Sequence, residues 1–332
     1  MKVLITGGAG YIGSTIASAC ADAGHQPVIL DDLSRGLAAF AQRFVHYQGD
    51  YGDRELVRRI FVEHPDIAAV VHCAASVVVP ESIAEPLAYY ANNVAGLPGF
   101  LAELAAAGCN RVLFSSTAAL YATPETELVV TEASPLSPQS PYAASKQMVE
   151  RILADVAATS ALRAVSLRYF NPIGADPQLR TGLQLAEPSH ALGRIMAAAA
   201  AGESFTVTGT DWPTRDGSGL RDYIHVWDLA LAHVAALERF VAITDGVQCQ
   251  HQVINLGTGR GTTVFELAQA FKEVTGSDLE VLSGPRRPGD VAGACASAEL
   301  AAELLDWRAE RSVAEGVADS LRWRERLLDL LP

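Results

Sequence analysis

The chain has 332 residues, 49% of them hydrophobic and 19% charged, enough apolar content for one large domain or two lobes around a cleft and too much for disorder. A net charge of −13 excludes nucleic-acid binding through a basic stripe, because no such stripe is present to offset phosphate repulsion. Cys20, Cys73, Cys109, Cys249 and Cys295 form no CxxC and no ligand spacing, so reduced core thiols and no metal are expected; with no leader-like segment and no apolar run of spanning length, a cytoplasmic protein without membrane attachment is expected.

Lys2–Thr6 is a short apolar run ending in glycines, the pattern of a buried parallel strand, and Tyr11–Ala23 follows with helical spacing up to Gly24. Gln26–Leu30, Val45–Gln48, Ala69–Ala74 and Arg111–Ser115 repeat the strand pattern, with helices expected at Arg54–Glu63 and Leu87–Ala107 between them. A helix at Tyr142–Thr159 leads to a strand at Ala164–Tyr169. This alternation predicts an α/β fold, a Rossmann-type doubly wound parallel sheet. Beyond Tyr169 the rhythm weakens. Loops are expected at Asn171–Glu187 and Thr210–Gly219, helices at Trp227–Phe240 and Val264–Thr275, and short strands at Phe205–Val207, Tyr223–Val226, Val253–Leu256 and Glu280–Leu282. The organisation expected is a dinucleotide-binding domain over 1–170 and a smaller α+β substrate lobe over 171–332, with some C-terminal segments packing back on the first domain.

The chemistry starts at the first glycine cluster. Gly7, Gly10 and Gly13, with Tyr11 and Ile12 between them, stand between a strand and a helix, where backbone N–H groups approach a pyrophosphate at the helix's positive end. Asp31, closing the second strand, accepts from ribose hydroxyls and repels a 2′-phosphate, which favours NAD; Arg35 nearby keeps NADP as an alternative. Asp50 is a partner for the adenine amino group or a turn aspartate in Gly49-Asp50-Tyr51-Gly52.

Tyr142 and Lys146, four residues apart, share a helix face, and Lys146 is one of only three lysines (Lys2, Lys146, Lys272). An ammonium beside a phenol holds its pKa down and readies it as a base. Ser115, Ser116 and Thr117 end a strand at the sheet's carboxyl edge, as caps of the following turn or as partners of a substrate oxygen. Taken together, Tyr142 is the expected base, Thr117 the hydrogen-bonding relay, and Lys146 the group that tunes the phenol and holds the nicotinamide ribose.

These residues resemble the extended short-chain dehydrogenase/reductase superfamily. More narrowly, Pro80-Glu81-Ser82, Tyr89–Val94, Leu167–Pro172, Asp211–Val226 and Pro285–Asp290 resemble the UDP-glucose 4-epimerases along essentially the whole chain. The resemblance implies C4 epimerisation of a UDP-hexose through transient oxidation with tightly bound NAD. It implies cofactor contacts at Tyr11, Ile12, Asp31, Asp50, Tyr51, Cys73, Ala74, Ala75, Asn92, Ser115, Lys146 and Phe170, and substrate contacts at Asn171, His190, Arg221, Arg287 and Asp290. It also implies a homodimer through Leu87–Ala107 and Tyr142–Thr159. Ala294 stands where the family gates the sugar pocket, and its small side chain implies room for an N-acetyl group.

Four positions depart from the family pattern: Thr208 for a uracil-flanking phenylalanine, His190 for an asparagine, Val77 for a lysine, and Ala122 for a glycine. Ala118-Ala119 replace the acid and base pair that a 4,6-dehydratase needs. A pentose or uronate epimerase, a keto-sugar reductase and a non-catalytic NAD sensor remain as alternatives.

Overall fold

β1 (Lys2–Thr6) is buried along nearly its whole length, so it can only lie inside a sheet covered on both faces. It does so in a computed structural model that describes residues 1–124, 128–185, 190–246, 250–287 and 291–330. β1 pairs in parallel with β2 (Gln26–Asp31), which pairs with β3 (Val45–Gln48). On its other side β1 pairs with β4 (Ile67–His72), followed by β5 (Arg111–Ser115), β6 (Arg163–Tyr169) and β7 (His251–Leu256). The order β3-β2-β1-β4-β5-β6-β7 reverses direction between β1 and β4. That switch point opens a crevice at the strands' carboxyl ends.

The expected strands and helices form with boundary shifts of one or two residues, apart from two differences. Val253–Leu256 belongs to β7 of the central sheet, and the helix Val226–Glu238 packs its apolar face beside the helix Tyr11–Asp22. The C-terminal half therefore returns to complete the first layer. Leu87–Ala107 is three pieces: a helix at Pro86–Tyr90, a π turn at Ala91–Ala95, and a helix at Leu97–Ala106. Pro98 lacks an amide to donate and its ring crowds the preceding turn, and the π turn absorbs that conflict. It also presents Asn92 and Asn93 from a bulge.

Two apolar clusters sandwich the sheet. One gathers Ile5, Ile16, Val71 and Leu167 against Leu229 and Leu237; the other gathers Leu4, Val70 and Phe114 against Ile60, Phe100, Val149 and Leu153. A third core lies among C-terminal residues, where Leu192, Ile195, Phe205, Leu267, Phe271 and Val317 meet. Its helices are well specified locally. Thr263 with Glu266 and Ser312 with Glu315 form capping boxes, and Gly276, at φ +67°, ends the helix Val264–Thr275 in the left-handed conformation. Three small sheets connect the lobe, the most relevant to the site pairing Asn171–Ile173 with Tyr223–His225 and Leu220–Arg221 with Gly293–Ala296.

Candidate active site

The glycine turn after β1 is held by steric necessity. A Cβ on Gly7, whose φ is +69°, would stand 2.6 Å from the Ala74 amide nitrogen, and one on Gly13 would stand 2.2 Å from the Gly7 carbonyl oxygen. Gly10 begins the helix Tyr11–Asp22 with no side-chain cap, so its first amides, including those of Tyr11 and Ile12, are left to an anion. The Asp31 carboxylate is fixed by the Ala9 amide (2.9 Å) and the Leu33 amide (2.8 Å). Burial pushes its pKa up, with those two bonds opposing. A desolvated carboxylate with acceptor capacity left suits a ribose diol. The cradle and its acid thus fit a dinucleotide.

The other predicted cofactor residues border the same crevice. Cys73, Ala74 and Ala75 follow β4, with the Cys73 amide donating to Thr6 O (3.0 Å) and Ala74 lying directly over Gly7. The Asn92 amide group donates to Ser76 Oγ (3.2 Å). Asp50 makes the turn bond of a turn aspartate, accepting from the Gly52 amide at 2.6 Å. The Tyr51 hydroxyl is spent on the Asn92 carbonyl (2.8 Å), and its ring packs on His72 and Phe100. Tyr11 reaches across to donate to the Gly174 carbonyl (2.7 Å), joining the cradle to the second half of the chain.

The residues expected to react lie where β5 ends and the helix Pro141–Thr159 begins. Ser140 caps that helix by accepting from the Ala143 amide (3.2 Å), which sets Tyr142 in its first turn. Thr117 fills the capping role expected of it. Its hydroxyl caps the turn at Ala118–Leu120, accepting from the Ala119 amide (3.2 Å), and it stands close enough to the Tyr142 phenol to work against the rise in that phenol's pKa. Lys146 is buried, donates to the Ser115 carbonyl (2.8 Å) and lies 4.7 Å from the centre of the Phe114 ring. Burial lowers its pKa to about 8, with Cys73 and Glu150 opposing.

Burial pushes the pKa of the Tyr142 phenol up, while Thr117 works against it. The Lys146 ammonium is occupied by Ser115, and the Ser115 hydroxyl bonds the Tyr169 phenol.

The expected substrate residues come from three separate segments. Phe170 packs with Ala118, Tyr121, Val130 and Ala294, which brings the proposed sugar gate beside the turn that carries Thr117. Asn171 lies in the short strand after β6, its amide donating to the Asp222 carbonyl (3.1 Å). Arg221 pairs in register with Ala294, and its guanidinium donates to the carbonyls of Leu220 (2.7 Å) and Ala292 (3.3 Å). Arg287 is exposed just after the strand Val281–Gly284, and Asp290 lies outside the described residues. His190 caps the helix Ala191–Ala201 through Nδ1, which accepts from the Gly193 amide (3.2 Å); burial lowers its pKa, so it is a neutral imidazole.

Several supporting residues have partners that no local signal names, even where the residue itself, like Asn93 within Tyr89–Val94, falls in a motif. Asn93 bridges the Ser76 backbone and the Ser145 hydroxyl (2.9 Å), fastening the loop after β4 to the Tyr142 helix. Glu150, one turn beyond Lys146, forms a buried two-pronged pair with Arg168 and accepts from Ser116. A helical i, i+4 reading from Lys146 would have found Glu150; nothing local points to its partners.

The sequence family described as the NAD dependent epimerase/dehydratase family matches residues 3–257. The UDP-glucose 4-epimerase of Bacillus subtilis (strain 168) is 40% identical, covering 98% of this chain and 97% of its own length. Among solved structures, the UDP-glucose-4-epimerase from Stenotrophomonas maltophila, with bound NAD and formylated UDP-arabinopyranose, superposes with a TM-score of 0.92 at 38% identity over 100% of both chains. The UDP-glucose 4-epimerase from Bifidobacterium longum, in complex with NAD+ and UDP, gives 0.87 at 35% identity over the same coverage. The chain belongs to the NAD dependent epimerase/dehydratase family.

Proposed function

We propose that this chain is an isomerase that interconverts UDP-glucose and UDP-galactose at C4, with NAD held throughout the cycle. The observation that carries this reading is the convergence of Tyr142, Thr117 and Lys146 at the carboxyl edge of the sheet, beside the glycine cradle and Asp31. The amides at Gly10–Gly13 hold the pyrophosphate, Asp31 takes the adenosine ribose, and Lys146 takes the nicotinamide ribose by exchanging its bond to Ser115. NAD supplies reversible hydride acceptance at the sugar's C4.

The residues handle the proton and the orientation. Tyr142 removes the proton of the 4-hydroxyl as the carbon is oxidised and returns it after the 4-keto sugar has presented its other face. Thr117 hydrogen-bonds both the phenol and the sugar oxygen, so the proton crosses one short bond in either direction. No net redox results. Arg221 and Arg287 hold the diphosphate, and their planar forks anchor the nucleotide while the sugar turns. Asn171, His190 and Asp290 complete the polar contacts of the pocket. The buried methyl of Ala294 leaves room for an N-acetyl group, which extends the reading to UDP-N-acetylglucosamine.

A cytoplasmic location is proposed, supported by free thiols at Cys20, Cys73, Cys109 and Cys295. A homodimer is proposed through Leu87–Ala107 and Tyr142–Thr159. Leu87, 81% exposed, and Met148, 45%, leave apolar surface there for a second copy. Sedimentation of the purified chain tests it.

The deciding experiment denatures purified protein and assays the supernatant for NAD(H), alongside UDP-galactose conversion with no cofactor added. Recovered NAD(H) and conversion are expected. A protein inert towards UDP-sugars ends the reading, and activity only with added NADPH turns it into a reductase.

A further inference from the structure

Asp222 is a fully buried carboxylate without a described cationic partner. It marks the crossing between two small sheets, since Leu220–Arg221 pairs with Gly293–Ala294 and Tyr223–His225 pairs with Asn171–Ile173. Three donors converge on it: the Thr258 amide (3.0 Å) and hydroxyl (2.7 Å) at Oδ1, and the Ala296 amide (3.1 Å) at Oδ2. Its own carbonyl accepts from the Asn171 amide (3.1 Å). The fit is tight, for a Cβ on Gly257 would lie 2.3 Å from Oδ2.

One carboxylate therefore fastens four segments: the strand of Arg221, the strand of Ala294, the start of Asn171's strand, and the turn that follows β7 of the central sheet. A buried charge without an opposite charge persists where its lone pairs are all answered and its geometry is needed. We propose that Asp222 is a positioning residue for the substrate pocket, fixing the register in which Arg221, Asn171 and Ala294 face the nucleotide sugar. This rests on the reading that those three residues bind substrate. Asp222 acts on the grip on the nucleotide, while the dinucleotide cradle, built from residues 7–13 and 31, makes no hydrogen bond with its side chain.

The test uses Asp222→Asn, which keeps the shape but turns an amide donor towards donors, and Thr258→Val, which removes one of the three bonds. Arg221→Ala serves as the control on the underlying reading. For D222N the KM for UDP-glucose and the Kd for UDP should rise at least about 10-fold while kcat changes less than about 3-fold, the split expected of lost uniform binding. NAD recovered per chain should equal that of the unaltered protein, and T258V should shift KM the same way by a smaller factor. Equal loss of NAD and of UDP affinity in D222N overturns the proposal in favour of general loosening, as does an unchanged KM in both variants. If D222N cannot be purified folded, T258V alone decides by the same split. Should R221A bind UDP as the unaltered protein does, the pocket lies elsewhere and both readings fall; if R221A weakens UDP and the Asp222 and Thr258 variants do not, only the positioning role is wrong.

Discussion

Replacing Glu150 with Gln perturbs the helix that carries Tyr142 and Lys146 without changing its shape. Glu150 and Arg168 are both nearly sealed from water, with side-chain exposures of 6% and 5%. The carboxylate receives Arg168 Nε at 2.9 Å, the Nη2 of the same guanidinium, and the Ser116 hydroxyl. A glutamine offers one acceptor oxygen and sets an N–H2 against donors, so a guanidinium is left buried without its countercharge. Breaking a buried pair from one side costs about 3–5 kcal/mol, because the stranded charge cannot recover its hydration. That is a large part of a typical stability of about 5–15 kcal/mol.

Urea unfolding of E150Q at matched NAD content measures the loss, since bound cofactor itself stabilises the folded state. The double variant E150L/R168M removes both charges and should be more stable than E150Q. Arg168 Nη1 also donates to the Tyr121 hydroxyl (3.0 Å), but Tyr121 keeps its bond to Asn255 (2.6 Å) in either background. The effect extends to chemistry. Glu150 opposes the lowering of Lys146, so E150Q should drop the ammonium's pKa further below about 8 and move the basic limb of the kcat profile towards acid. A stability loss under ~1 kcal/mol, or a double variant weaker than the single one, would refute the claim that this pair is desolvated and specific.

Three further outcomes are expected. Tyr142→Phe should retain NAD at one per chain and lose roughly 100- to 10,000-fold in kcat, the range of a general acid–base contribution; unchanged turnover removes Tyr142 from the role. Ala294→Tyr should lower kcat/KM for UDP-N-acetylglucosamine by roughly 10- to 200-fold relative to UDP-glucose, the reach of pocket size alone, and equal losses with both sugars would show that the position does not gate. His233 is fully buried, its Nδ1 2.8 Å from the Leu229 carbonyl, and burial lowers its pKa to about 4 from 6.5. Because the folded value is depressed, this imidazole's stability is full above the ordinary value and is lost as pH falls from 6.5 towards 4, by about 3 kcal/mol at the acid end. His233→Leu should flatten the pH dependence of the urea midpoint over that window, and an unaltered slope would place the acid sensitivity elsewhere.

What could be read from the sequence follows a physical division. β1, β3, β5 and the helices Arg54–Glu63 and Val264–Thr275 carry their instructions locally, as apolar runs, caps and glycines, and they form where those signals place them. The glycine cradle and the Tyr142–Lys146 spacing are local in the same sense. The break at Ala91–Ala95 was marked too, by Pro98, although apolar periodicity across the stretch masked it. Which C-terminal segment packs back on the first domain is not local information, because sheet membership depends on which strand pairs with which, and His251–Leu256 finds Arg163–Tyr169 some 90 residues away.

The same division explains why the partners of Glu150 and Asp222 are not legible in the sequence, although Asp222 stands within the Asp211–Val226 stretch. Each is an ordinary acid in sequence, surrounded by nothing that names its partners; Asp222 meets donors at positions 258 and 296, and Glu150 meets donors at 116 and 168. A surface acid is indistinguishable from these by composition, yet burial reverses what the charge does, from solvation to organisation of its surroundings. The groups that touch ligands sit in motifs because their spacing along one element matters to the chemistry. The groups that hold those elements against each other have no such constraint, since their geometry is set only when the chain closes. That is why the Tyr142–Lys146 pair is legible in one helix, whereas the register of Arg221 with Ala294 is set only by the pairing of distant strands that Asp222 fastens.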